Sequence, residues 1–316
     1  MSSFSRKSLV IATRKSKLAL WQAEFVRHRL MTQHPGLTVT LLPMTTEGDE
    51  RLDVTLSKIG GKGLFVKELE TALLSGAADL AVHSIKDMPA QLHPTLAIGA
   101  ICAREDVRDV LIANNHQKFM DLAPGAHVGT SSLRRQVQLK KIRPDLQYLN
   151  LRGNVPTRVQ KLKSGEYDAI VLAAAGLKRL GLEQEITEYF SIDQVLPACG
   201  QGALGIECRA DDSALMNLLQ GLHENETAAC VQAERAMNAI LGGSCQVPIA
   251  ALARYQQQKL HLMGRVGDLA GAQSLAATAS GLLEEAEQIG QSVAELLIQQ
   301  GAKQIIDEIL SHGFEG

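Results

Sequence analysis

The sequence predicts two α/β domains followed by a smaller α+β domain, and two features of its pattern lead to this fold class. Over the first 200 residues, short β-rich runs alternate with amphipathic helical patterns, which is typical of α/β domains with mostly parallel sheets. After about Asn225, a helical pattern precedes three strand-like runs, which indicates a three-stranded antiparallel sheet. At 316 residues, the chain is long enough for two or three domains.

Each element is predicted from its apolar period and from the residues that bound it. Gly76, for example, ends a helical pattern, because glycine often follows the last residue of a helix. The predicted strands of the two α/β domains are 8–12, 37–44, 79–83, 109–113, 126–130, 146–151, 168–173 and 203–208. The predicted helices there are 17–33, 63–75, 131–143, 155–164, a short one that ends at Leu180, and 212–222. The third domain has predicted helices over 226–241 and 282–300, and predicted strands over 247–254, 259–266 and 273–280.

The composition excludes several classes of protein. Apolar residues make up 45% of the chain and charged residues 21%, as in an ordinary soluble protein. No stretch approaches the roughly 18 apolar residues of a membrane span, and basic residues interrupt the N-terminal segment where a signal peptide needs an apolar run. The cysteines are scattered and include no C-x-x-C pair, which argues against a disulfide framework or a zinc site. We therefore expect a cytoplasmic protein without a metal or a membrane partner, and nothing requires more than a monomer.

Charge is distributed unevenly along a chain whose net charge is only −2. Residues 125–182 carry 11 Lys and Arg against 3 Asp and Glu, whereas residues 183–316 carry 6 against 18. A solvated basic face, a nucleic-acid surface and a site for a small polyanion are three explanations of the basic block. Its only aromatic residues are Tyr148 and Tyr167, too few for stacking on single-stranded nucleic acid. We therefore expect no nucleic acid, and a small polyanionic ligand stays open.

Two glycine-rich segments match nucleotide-binding motifs only in part. Residues 200–205 fit G-x-G-x-x-G, but a dinucleotide site needs a strand before the glycines and a helix after them. Here Pro197 precedes the glycines and a β-like run follows, so we interpret the segment as a flexible crossing between domains. Residues 60–63 are too short for a Walker A loop and fit a mobile lid that carries one lysine.

Arginines recur where predicted strands end and helices begin. In open α/β sheets, ligands bind outside the carboxyl ends of the strands, where helix N-termini offer free N–H groups. Arginine suits a carboxylate there because its planar guanidinium binds both oxygens. A solvated face would instead spread arginines around the helices, so the pattern predicts one anion-binding cleft. These arginines are Arg14, Arg134, Arg135, Arg152, Arg158 and Arg179, and Thr130, Ser131 and Ser132 share one of the junctions.

Asp87 lies in the segment HSIKDMP, which follows a predicted strand, so we expect it to face the same cleft. An aspartate in such a place is usually a turn or capping residue. Among the predicted cations, however, it should stay ionised. An ionised carboxylate is well placed to stabilise a carbocation.

Cys245 lies in a loop between a predicted helix and the first strand of the third domain. A free intracellular cysteine is usually a buried apolar residue. Small neighbours, Gly242 to Ser244, instead leave the thiol accessible on a loop. A Cys–His hydrolase would need a histidine partner, and none of the histidines has a local signature. The local sequence therefore leaves both an inert and a functional thiol open.

Eight segments carry a resemblance to a known family. They are IATRKSKLALWQ, GGKGLFVKELE, HSIKDMP, VGTSSLRRQ, LNLRGNV with the following TR, AAAGLKRLG, CGQGALGIECR and GGSCQVPIAA. They run in the family's order from residue 11 to residue 251, and the last 65 residues match less specifically. On these segments, the chain is identified as a member of the porphobilinogen deaminase (hydroxymethylbilane synthase) family.

The resemblance implies a transferase of haem and porphyrin biosynthesis. It implies the condensation of four porphobilinogen molecules head to tail, with loss of ammonia, onto a covalently bound dipyrromethane cofactor. Hydrolysis then releases the linear tetrapyrrole hydroxymethylbilane. Because each porphobilinogen carries an acetate and a propionate, the basic block would bind carboxylates. The implied domains are 1–102 with 203–221, then 107–197, both like periplasmic binding proteins, and a third domain over 225–316.

The resemblance also implies roles for individual residues. Cys245 would hold the cofactor through a thioether, and Asp87 would be the catalytic carboxylate. The cofactor would be bound by Ser84, Lys86, Thr130, Ser131, Ser132, Arg134, Arg135 and Arg158. The substrate would be bound by Arg14, Ser16, Arg152, Arg158 and Arg179, and a mobile lid would contain Lys58, Lys62 and Phe65. One departure is Pro156, which is tolerated near a helix start.

The main alternative belongs to another class: a non-catalytic anion-binding protein of solute-binding architecture. Such a protein would also need a cationic cleft between two α/β domains. It would have no use for a cysteine loop on a third domain, and the segment expected of a secreted binding protein is absent from the N-terminal sequence.

Overall fold

The computed structural model describes residues 6–50, 65–243 and 247–312. The strands in these ranges are β1 Ser8–Arg14, β2 Thr38–Met44, β3 Leu80–Ser84, β4 Leu96–Ile101, β5 Asp109–Ala113, β6 His127–Gly129, β7 Gln147–Leu149, β8 Ala169–Ala173, β9 Glu188–Tyr189, β10 Leu204–Arg209, β11 Ile249–Gln256, β12 Lys259–Gly267 and β13 Ser274–Gly281. The α-helices are α1 Lys17–Gln33, α2 Glu47–Glu50, α3 Lys67–Leu74, α4 Leu133–Ile142, α5 Val155–Lys163, α6 Ala174–Arg179, α7 Ser213–Leu219, α8 Asn225–Ile240, α9 Ala286–Gln299 and α10 Ala302–His312.

The first sheet has the strand order β2-β1-β3-β10-β4. Strands β2 and β3 are parallel to β1, whereas β10 runs antiparallel to both β3 and β4. The sheet is therefore mixed and not mostly parallel as expected, because β10 enters it from the second sheet, in the opposite direction. Strand β4 was not predicted. Its interior Gly99 weakens the local strand pattern, yet a side chain there would collide with Leu219 of α7 and with Cys208.

The second sheet repeats this plan in the order β7-β6-β8-β5-β9. Strands β7 and β8 are parallel to β6, and β5 is antiparallel to β8 and β9. Phe119 and Phe190 pack edge to face in its core, with ring centroids 5.3 Å apart. Two chain segments join the sheets, one between β4 and β5 and the other between β9 and β10. This arrangement places a cleft between the two α/β units.

The third sheet consists of β11, β12 and β13, paired antiparallel in that order. Helices α8, α9 and α10 pack on it and contribute Met237, Val293 and Ile306 to its core. Helix α10 was not predicted. Gly301, at a φ of +103°, ends the apolar pattern of α9 and redirects the chain, so the next amphipathic turn begins a separate helix. The two α/β units and the antiparallel sheet confirm the predicted fold class.

In the ranges that the structure describes, every helix is too short or too polar to cross a membrane.

Candidate active site

The cleft between the first two sheets contains a cavity of about 90 Å³. It lies where β3 and β8 end and where helices α1, α5 and α6 begin, as expected for a ligand site of an α/β sheet. Its polar lining residues are Ser84, Lys86, Arg135, Arg158 and Arg179, and Leu18, Val155 and Leu172 are among its apolar ones. The structure thus brings Lys86 of the first α/β unit together with Arg135, Arg158 and Arg179 of the second.

Asp87 ends a single 3-10 turn, Ile85–Asp87, which directly follows strand β3. Ile85 and Met88, on either side of it, are buried, whereas Asp87 itself is exposed. The turn is tightly packed, because a Cβ atom at Gly200 or Gly205 would lie 2.2 or 2.4 Å from the Ile85 side chain. The neighbours of Asp87 therefore anchor the turn and leave its carboxylate accessible.

Lys86 reaches into the cleft and donates a hydrogen bond to Oε1 of Gln201 at 3.4 Å. Burial lowers the pKa of Lys86 to about 8. Asp87 and Asp109 oppose this shift, and Arg135 and Arg134 reinforce it. The lowered pKa means that burial disfavours the charged ammonium group more than Asp87 and Asp109 stabilise it.

Arg134 and Arg135 are both buried and both bind the fully buried carboxylate of Asp109. Nη1 of Arg134 lies 2.7 Å from Oδ2, and Nη2 of Arg135 lies 2.7 Å from Oδ1. Arg134 also donates to the carbonyl of Leu196, whereas Arg135 donates to that of Val171 and lines the cleft. Burial raises the pKa of Asp109, but the two guanidinium groups outweigh it and hold that pKa well below its usual range. The two neighbouring arginines therefore differ in their access to the cleft.

Arg158 and Arg179 line the cleft and donate to backbone carbonyls. Nε of Arg158 lies 2.7 Å from the oxygen of Gly153, and Nη2 of Arg179 lies 2.7 Å from that of Gly202. Burial, together with the positive charges of Arg135 and Arg152, lowers the pKa of Arg158 to about 10. A carbonyl satisfies an N–H donor without neutralising the charge, so both groups remain suited to an anion.

The other two predicted substrate-binding arginines have different surroundings. Arg152 is buried after the end of β7. Arg14 ends β1 and forms an ion pair with Asp49. Its guanidinium carbon lies 4.2 Å from the centre of the Phe65 ring, a cation–π contact that places this predicted lid residue beside Arg14.

The predicted hydroxyl residues have contacts that also serve the fold. Ser16 is the N-cap of α1 and accepts from the N–H of Ala19, and Ser84 accepts from Gln22 at 2.9 Å. The Thr130 hydroxyl accepts from the N–H of Ser132, which is the N-cap residue of α4. Ser131 donates to Oδ1 of Asn150 at 2.6 Å. Of these five side chains, that of Ser84 lines the cavity.

Two parts of the chain, which together contain strands of all three sheets, are similar to known protein families. Residues 9–217 match the family described as "Porphobilinogen deaminase, dipyromethane cofactor binding domain", and residues 228–299 match "Porphobilinogen deaminase, C-terminal domain". The chain belongs to the porphobilinogen deaminase family. It is therefore an enzyme with hydroxymethylbilane synthase activity, its cofactor is dipyrromethane, and its substrate is porphobilinogen.

Solved structures with a similar fold were also found. The periplasmic VFT2 domain of Bordetella pertussis BvgS is 15% identical, with a TM-score of 0.41, and the match covers 71% of this chain and 92% of that chain. The methionine binding protein MetQ is 14% identical, with a TM-score of 0.45, and the match covers 71% of this chain and 95% of that chain. At these identities, the ligands of those proteins do not bear on this chain.

Three of the predicted site residues of this porphobilinogen deaminase family member, Lys58, Lys62 and Cys245, lie outside the described residues. Their implied roles stay predictions. Pro156, the departure from the family pattern, is in the first turn of α5, where it is compatible with the helix.

Two residues of the site were not predicted. Asp109 is the buried counter-ion of Arg134 and Arg135, and Gln201 connects it to Lys86. Oε1 of Gln201 accepts from Lys86, while its Nε2 donates to Oδ1 of Asp109 at 3.0 Å. An aspartate at the start of an otherwise apolar strand was a signal for Asp109, because a buried carboxylate needs a partner.

Proposed function

We propose that the chain joins four porphobilinogen molecules head to tail, with loss of ammonia, onto a dipyrromethane held by a thioether at Cys245, and that it releases hydroxymethylbilane by hydrolysis. The observation that carries the proposal is the excess of positive charge around the cleft. Lys86, Arg135, Arg158 and Arg179 line the cavity, and none of the described residues in its lining is an aspartate or a glutamate. A ligand with several carboxylates would neutralise this excess.

The residues of the cleft fit the dipyrromethane cofactor. Each porphobilinogen-derived ring carries an acetate and a propionate, and the cleft offers ammonium, guanidinium and hydroxyl donors from both α/β units. When bound, the cofactor supplies the pyrrole carbon to which the first substrate is joined. We assign cofactor binding to Ser84, Lys86, Thr130, Ser131, Ser132, Arg134, Arg135 and Arg158. We assign substrate binding to Arg14, Ser16, Arg152, Arg158 and Arg179, with Lys58, Lys62 and Phe65 in a lid.

Asp87 is the catalytic carboxylate in this proposal. Loss of ammonia from porphobilinogen leaves positive charge on the substrate, and a fixed carboxylate stabilises such charge as it develops. Lys86 and Arg158 attract the carboxylate of Asp87 electrostatically. These cations would also attract the acetate and propionate groups of the substrate and so bring its reacting carbon towards Asp87.

The same proposal divides the chain into 1–102 with 203–221, then 107–197, and then 225–316. The two segments that join the first two units would act as a hinge, as suits a cleft that must admit successive substrates. We further propose that the protein works as a cytoplasmic monomer.

Intact-mass measurement of three purified proteins tests the proposal. We expect the wild-type protein to carry two porphobilinogen units, less two ammonias, and Cys245→Ser to carry none. Asp87→Asn should keep the adduct if it is supplied with assembled cofactor, but its turnover should fall at least about 100-fold, because it loses the charge that stabilises the transition state. An unmodified mass in active wild-type protein would disprove the tether, and anion binding without turnover would favour a solute-binding protein.

A further inference from the structure

The turn that carries Asp87 packs against helix α8 of the third sheet's unit. Val231 of α8 belongs to the same apolar cluster as Ile85 and Met88, the two buried residues of the turn, and Ala228 packs against that cluster. Residues 228, 231 and 235 are separated by three and four positions, so they lie on one face of α8. This face therefore meets the Asp87 turn directly.

Arg235, on that face, binds the backbone immediately after Asp87. Its Nη2 atom donates to the carbonyl oxygen of Pro89 at 2.9 Å and to that of Ala90 at 3.1 Å. Pro89 has no N–H, so its carbonyl is the only backbone group with which it can form a hydrogen bond. The two bonds thus define where the chain runs as it leaves Asp87.

Helix α8 is a rigid support for this contact. Its opposite side contributes Ala229, Ala233 and Met237 to the core of the third sheet, and a Cβ atom at Gly290 of α9 would lie 2.4 Å from the carbonyl oxygen of Ala233. In the sequence, α8 is followed closely by Cys245, which lies outside the described residues. The helix therefore belongs to the unit to which the proposed anchor is attached.

We propose that Arg235 is a positioning residue for the reaction, which holds the Asp87 turn on α8 and so fixes the carboxylate relative to the third unit. The inference rests on the catalytic role proposed for Asp87. The hydrogen bonds of Arg235 to the described residues go to the backbone carbonyls of Pro89 and Ala90, so it acts through the geometry of the turn. A displacement of a catalytic group by about 1 Å can reduce a rate by about 100-fold.

Arg143 provides a matched control, because it makes the same kind of contact far along the chain from Asp87. It donates to the carbonyl oxygens of Phe119, Met120 and Leu122, and it also binds Asp145. Replacing it removes bonds from a guanidinium to backbone carbonyls without affecting the Asp87 turn. Any effect of lost stability alone should therefore be seen in both variants.

The experiment compares Arg235→Gln, Arg235→Lys and Arg143→Gln, each with its adduct verified by intact mass. We expect Arg235→Gln to lower kcat by about 10- to 100-fold with KM changed less than about 3-fold, because binding groups are untouched. Arg235→Lys should recover most of the loss, since one ammonium can donate to both carbonyls. Arg143→Gln should lower Tm but leave kcat within about 2-fold of wild type well below its Tm.

Two outcomes would overturn the inference: wild-type kcat in Arg235→Gln, or an equal loss of kcat in Arg143→Gln. If Arg235→Gln does not fold, Arg235→Met takes its place, and a folded Arg235→Met with wild-type kcat would overturn the inference, because it makes neither bond to the backbone of Pro89 and Ala90. Missing adduct on the wild-type protein, or an active Asp87→Asn, would instead refute the proposed function, so the two failures are distinguishable.

Discussion

Arg158 and Arg179 of the cleft and the arginine pair of α4, Arg134 and Arg135, have the same chemistry but different partners. Arg134 and Arg135 are buried against Asp109, which neutralises part of their charge within the fold. Arg158 and Arg179 donate to backbone carbonyls, which leave their charge in place. The comparison teaches that a buried carboxylate neutralises part of the charge of the arginines bound to it, whereas backbone carbonyls satisfy N–H donors and leave the charge for a ligand.

The largest expected effect is on the buried side of this comparison. Asp109→Asn keeps the shape of the side chain but leaves two buried guanidinium groups without a carboxylate. We expect it to lower the free energy of unfolding by about 3–5 kcal/mol, the usual cost of breaking a buried ion pair from one side. Urea denaturation followed by circular dichroism measures this.

The control for Asp109→Asn is Asp145→Asn, which removes the partner of Arg143 at a half-exposed carboxylate. There we expect a much smaller loss of unfolding free energy than for Asp109→Asn, since solvent replaces the interaction. Equal losses of unfolding free energy in the two variants would contradict the expectation that the buried ion pairs of Asp109 contribute more to stability than the exposed one of Asp145.

On the ligand side, Arg158→Met should change binding more than stability. It removes a charge from a crowded cationic cleft, so the free energy of unfolding should change by less than about 1 kcal/mol. The KM for porphobilinogen in adduct-bearing protein should rise roughly 10- to 100-fold, as for the loss of a shielded charged hydrogen bond. Lys161→Met, on the same helix but outside the cleft, should leave KM unchanged. If Arg158→Met is unstable but has a normal KM, Arg158 contributes to the stability of the fold and not to substrate binding.

The sequence predicted the elements whose signals are local. The prediction of α1 over 17–33 agrees with Lys17–Gln33, because an apolar period and the Ser16 N-cap define it within a few residues. The prediction of β5 over 109–113 also agrees. Strand β4 and helix α10 were missed because packing against other elements stabilises them. Leu219 of α7 packs so closely on Gly99 of β4 that a side chain there would collide with it. Ile306 of α10 is part of the core of the third sheet.

The site was predictable to a similar degree. The positions of arginines near strand ends predicted a cationic cleft, since the carboxyl ends of neighbouring strands share an edge, and Arg135, Arg158 and Arg179 line the described cavity. These positions could not separate Arg134 from Arg135, which are adjacent in the sequence, because the separation depends on Asp109 and on the carbonyl of Leu196, 62 residues from Arg134. A contact between residues so far apart in the sequence produces no local sequence pattern from which it could be predicted.

The smallest expected effect concerns Lys86 and sharpens the comparison through pH. Its pKa of about 8 in the folded protein lies below the ordinary value of 10.5, so between these values the unfolded chain holds more protons. Stability from this group therefore rises with pH through that window, by roughly 1–2 kcal/mol between pH 7.5 and 9.5. The Cys245→Ser protein, without adduct, should show this rise in urea denaturation, and Cys245→Ser with Lys86→Gln should show less of it. Because all other titrating groups are common to the two proteins, identical slopes would mean that the charge of Lys86 is already neutralised within the fold, like that of the pair on Asp109.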